Sequence, residues 1–104
     1  MTERIEPSER RGMMKRGDQI VYIPDHAKET GINHPDVEFG FVNSISHFNN
    51  ETIFCRYWFK GVPGKLRTTA NSEGTRLQDL NPYKSVADGV IEATIERIDA
   101  EATP

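Results

Sequence analysis

TIFCRYWFK, residues 52–60, is the stretch on which the reading of this chain turns. Its β-branched and aromatic side chains suit a pleated strand. By alternation Ile53, Cys55, Tyr57 and Phe59 share one face, and Phe54, Arg56, Trp58 and Lys60 share the other. The first set is assigned to the core, which makes Cys55 a small buried apolar residue rather than a nucleophile. The second set, aromatic and basic, is assigned to the outside.

Downstream of this strand, GVPG (61–64) reads as a turn, KLRTTA (65–70) as a further strand and NSEGT (71–75) as a loop. LQDL (77–80) is a single helical turn that stops before Asn81-Pro82. Upstream, HFNNE (47–51) is a turn, and VEFGFVNSI (37–45) is a strand in which Gly40 marks a bulge or a close approach of backbones. QIVYI (19–23) is the first strand, opened by Gly17-Asp18 and ended by Pro24. Residues 1–15 are polar and of mixed charge, which predicts a disordered arm. After Ser85 the apolar period changes. Ile91, Ile95, Ile98 and Ala102 fall at helical spacing, with Ser85 as the expected cap and Asp88 three residues on. The expected organisation is an arm (1–15), a β domain (16–84) and a C-terminal helix and tail (85–104).

Short strands joined by tight turns, with a helical turn before the last one, predict a mainly β fold: a small antiparallel barrel that closes on itself. The pattern GDQIVYIP, GFVNSI, IFCRYW, LQDLNP resembles SH3-like barrels of the KOW and Tudor type over residues 15–84. That resemblance implies a Gly-Asp turn opening the first strand, a long first loop before a Gly-x-Val strand, and a short helical turn before the last strand. GDQIVYIPDHA, NHPDVEFGFVNSI and Asp79-Leu80 are also similar to a group of small phage and prophage proteins with His-Ala, His-Pro-Asp and Gly-x-Val elements. No activity comes with that similarity. The chain departs from the group in the longer stretch YWFKGVPGKLR and in the C-terminal helix.

The 104 residues fit one domain, and the single cysteine forbids an intrachain disulfide. No apolar run is long enough for a membrane span, and the opening MTERIEPSERRG has no apolar segment of signal-peptide type. The expected location is the cytoplasm, that of the host if a phage encodes the chain. The net charge of −3 is uneven. Residues 85–104 carry −4, whereas residues 56–84 carry +4.

Two regions are candidate sites. The first is the loop IPDHAKETGINHPDVEFG (23–40), where His26, His34, Asp36 and Glu38, with Cys55 as a fifth candidate, are donors of the kind metals take. Their spacing matches no compact zinc motif, and Pro35 places His34 in a turn. The leading reading is therefore a structural rim, with partner contact second and metal binding or catalysis third. The second region is the outward face of residues 54–60, extended by Lys65, Arg67 and Arg76. Arg56, Trp58, Lys60, Lys65 and Arg67 form a basic-aromatic set that suits either a protein hot spot or nucleic-acid phosphates and bases. Burial of Trp58 beneath the acidic helix is the competing structural reading. No phosphate-binding glycine loop or serine elbow is present. The sequence thus predicts a non-enzymatic binding module, monomer or homodimer, with no catalytic residues, no metal and no cofactor. A protein partner leads, because the overall charge is negative, and nucleic acid is the alternative.

Overall fold

The computed structural model describes residues 14–45, 52–67 and 73–102. Six strands follow in chain order: β1 Gln19–Tyr22, β2 Glu38–Ile45, β3 Thr52–Phe59, β4 Val62–Leu66, β5 Glu73–Arg76 and β6 Leu80–Pro82. One helix, α1, spans Asp88–Ala102. Every strand pairing is antiparallel, and the sheet order is β4-β3-β2-β1-β6, with β5 also beside β3. The fold is therefore mainly β with a C-terminal helix, as expected.

The expected closure into a barrel does not occur. β5 pairs with β3 and β6 pairs with β1, but no ladder joins β5 to β6. These strands are four and three residues long, and the 3-10 turn Leu77–Asp79 between them rounds the corner. The ends of the sheet are bridged by the chain itself, without a strand ladder between them.

Two strands differ from expectation. Glu73–Arg76, expected as a loop, is β5, with Thr52 opposite Arg76 and Cys55 opposite Glu73. Only Thr75 of this strand faces inward, where its hydroxyl meets the Tyr57 hydroxyl at 2.6 Å. With its other residues in solvent, the strand has no apolar alternation to announce it. β4 begins at Val62, inside the expected GVPG turn, so the reversal is confined to Lys60-Gly61. The expected turn at 47–51 and residues 68–72 lie outside the described residues.

The sheet is covered on both faces. Ile20, Val42, Ile53, Cys55, Tyr57, Leu77 and Leu80 form the inner cluster, and Met14 joins them. Met14 thus belongs to the core and not to an arm; residues 1–13 lie outside the described residues. On the outer face α1 lays Ile91, with Ile95 and Ile98, against Phe41 and Trp58. Beside it the first loop contributes Ala27 and Val37, which pack on Val21.

The helix starts later than its expected cap. The Gln19 side chain of β1 accepts the backbone N–H groups of Ser85 and Val86, each at 3.0 Å, and donates to the Val86 carbonyl at 2.8 Å. That clamp holds the approach segment extended, and α1 begins three residues beyond Ser85, at Asp88. Its acidic first residue complements the helix N-terminus.

Candidate functional site

β3 carries Arg56 and Trp58 of the basic-aromatic set. Its first half, Ile53 to Tyr57, alternates as expected: Ile53, Cys55 and Tyr57 are buried in the inner cluster. At the end of the strand the expectation is reversed. Trp58 is only 4% exposed, and its indole N–H donates to Ser85 Oγ at 3.2 Å. Phe59, assigned to the core, is 48% exposed. The cause is the helix, which covers the outer face where Trp58 emerges, while the register shift between Trp58 and Phe59 swings the strand end away from the inner cluster. Trp58 is therefore a core residue and offers no ring for a base to stack on.

The basic members of the set take different positions. Lys60 is exposed at the tip of the β3–β4 hairpin. Lys65 lies over the Phe59 ring, 5.3 Å from its centre. Arg67 is engaged by two carboxylates, those of Glu38 and Glu73, and sits over the Tyr57 ring. Burial raises the Glu38 carboxyl above its ordinary value even though the Arg67 charge pulls it down. Arg56 points to the side of the sheet that the helix covers, and its Nε is buried without a hydrogen-bond partner among the described residues. Arg56, Lys65 and Arg67 line one groove together with Arg97 and Glu101 of the helix. The acidic helix thus lies beside the basic segment, as the competing structural reading expected.

Phe59 and Val62 face each other across the hairpin, and Val62 is 44% exposed. With Lys60 and Lys65 they make an apolar-basic tip. Sequence reasoning missed both apolar residues, one through alternation and one through the turn chemistry around Gly61. The departure signalled by YWFKGVPGKLR was the clue.

In the first loop two 3-10 turns, Asp25–Ala27 and Gly31–Asn33, replace an open rim. His26 Nε2 lies 2.7 Å from Asp36 Oδ2. The Asp36 backbone N–H donates to His34 Nδ1 at 3.0 Å. The two imidazoles meet edge to face, with centres 5.4 Å apart. His26, beside Asp36, holds the Asp36 carboxyl below the usual carboxylate range. Glu38 does not join them, because it sits in β2 paired with Arg67. Below the histidines, Asp25 and the buried Asp79 share Lys28 and Arg76 in a four-membered ion network that ties the loop to the 3-10 turn before β6. Arg76, expected with the outward basic residues, is thereby committed to the fold.

No family model matches this chain, and neither a curated protein nor a solved structure was found similar to it. The site must be read from its own chemistry.

Cys55 is fully buried, and burial pushes its thiol up to about 12, so it stays protonated and unreactive at neutral pH. Among the described residues no helix is long and apolar enough to cross a membrane.

Proposed function

We propose that this chain is a non-enzymatic binding module of SH3-like type, an accessory protein of a phage or mobile element, that engages a protein partner through the tip of its β3–β4 hairpin. The observation that carries this reading is the pairing of two large apolar side chains, Phe59 and Val62, about half exposed and opposite one another, between Lys60 and Lys65. Exposed apolar residues ringed by charge are the usual composition of a protein contact. The phage assignment rests on the resemblance of the strand and loop motifs alone.

The nucleic-acid alternative keeps Arg56, Lys60, Lys65 and Arg67 but has lost support on two counts. Trp58 is unavailable for stacking, and Arg67 already neutralises two carboxylates.

The test is a Phe59→Ser/Val62→Ser variant. Both side chains are exposed, so its melting temperature should stay within a few degrees of the parent. A host protein captured by the parent chain and released by this variant supports the reading. Capture that the variant retains would overturn it. So would amide shifts on adding a short DNA duplex at low salt that cluster at Arg56–Lys65 and vanish steeply as salt rises.

A further inference from the structure

We propose that the first loop is a binding site for a divalent transition-metal ion of the zinc type, held by His26, His34 and Asp36 with water completing the coordination. The inference is separate from the hairpin reading and rests on other residues.

The ligand atoms of the three side chains all lie within 4.8 Å of one another. Two imidazoles and one carboxylate are a borderline donor set. They suit zinc, cobalt or nickel, and they lack the ring of oxygens that calcium and magnesium require. Bonds of about 2.0–2.2 Å around a tetrahedral ion place its ligands roughly 3.4 Å apart. Gathering the three donors therefore needs side-chain rotation and no refolding of the loop.

The backbone holds the cluster together from below. Ala27 and Val37 are buried side by side against Val21, so the residues that precede them, His26 and Asp36, emerge as neighbours although ten positions apart. The turns are fixed by backbone bonds from His34 N–H to the Gly31 carbonyl (3.1 Å) and from Val37 N–H to the His34 carbonyl (3.1 Å). Nδ1 of His34 accepts the Asp36 amide in the metal-free chain, so this imidazole must release that bond, by rotation within the turn, to offer Nδ1 to the ion.

The fold has little need of the cluster. His26 and Asp36 side chains are 63% and 58% exposed, where an ion pair contributes little. The anchoring falls instead to Lys28, Arg76 and the buried Asp79. Two exposed side chains and the half-buried His34 thus converge on a loop that other residues anchor, which is the arrangement of a ligand site more than of a support.

The experiment is titration of the tag-free full-length chain with zinc by calorimetry and with cobalt by absorption. One equivalent should bind, and the cobalt complex should show visible bands of low coordination number. His34→Ala and Asp36→Asn should each weaken binding at least tenfold while the metal-free melting temperature changes little. His47→Ala, at the remaining histidine, should leave binding as it is. Absence of binding up to millimolar metal would overturn the proposal. So would affinity unchanged in both loop variants, or affinity lost in His47→Ala. If a loop variant unfolds, His26→Gln decides: it must weaken binding tenfold in a chain of unchanged amide spectrum, or the site is refuted.

Discussion

Trp58 shows what one neighbour can do to a residue's meaning. In the strand it belongs to the outward set, yet its ring lies against Phe41 (centres 5.5 Å apart) and under Ile91, with its N–H on Ser85. Trp58→Ala should therefore cost about 3–5 kcal/mol, as deletion of a buried aromatic does. Urea unfolding would measure it, and a loss below about 1 kcal/mol would return the ring to the surface. Gly40 was legible in part. A side chain there would meet the Tyr57 Cα at 2.8 Å, so it marks a close approach of β2 to β3, while the register irregularity lies further on, between Val42 and Ser44. Cys55 was legible in full, since strict alternation governs the half of β3 that faces the inner cluster. The His26–Asp36 contact was not, because no spacing rule says that two loop arms will share a small apolar anchor.

The elements follow the same division. β1, β2 and β3 carry dense β-branched and aromatic runs, and the sequence places them within a residue or so of their observed bounds. β5 could not be read this way, because an edge strand with one inward residue has no period. The helix was legible from its isoleucine stripe, and its start was not, because the cap residue is taken by a tertiary partner. α1 stabilises the fold through that stripe, not through intrinsic propensity. Ile91→Ala should cost about 2–4 kcal/mol, whereas Glu92→Ala, on the exposed side, should fall within about 0.5 kcal/mol. Thermal unfolding of both variants would check the contrast. Equal effects would mean that the helix does not seat on the sheet through Ile91. Arg16, which donates to both oxygens of Asp99 at 2.8 and 3.2 Å, pins the far end of the same helix to the turn before β1.

For the molecule as a whole, the mainly β class, the helix and the packing of its isoleucine stripe on its own sheet were legible in the sequence, whereas the open sheet was not, because tight turns alone do not show that β5 and β6 fail to pair. Stability should also depend on acid in a definite direction. Hydrogen bonds from Lys28 and Arg76 hold the Asp25 carboxyl below its ordinary value. A depressed carboxyl stabilises the folded state above its unfolded pKa, and that contribution disappears as pH falls through the folded pKa. Glu38 acts oppositely: its raised carboxyl erodes stability as pH climbs through the range above its ordinary value. Asp25→Asn should therefore flatten the decline in melting temperature between about pH 4 and pH 2. An unchanged acid limb would show that the network carries no linkage. The bridge from β5 to β6 has a consequence for biosynthesis. On the edge that faces away from β2, Ile20 pairs with Pro82, and Ile91 completes the cover of Phe41 and Trp58. A nascent chain must therefore carry one unsatisfied strand edge and a bare aromatic pair until nearly all of this sequence has left the ribosome. A product stalled before Leu80 would present both to chaperones and proteases.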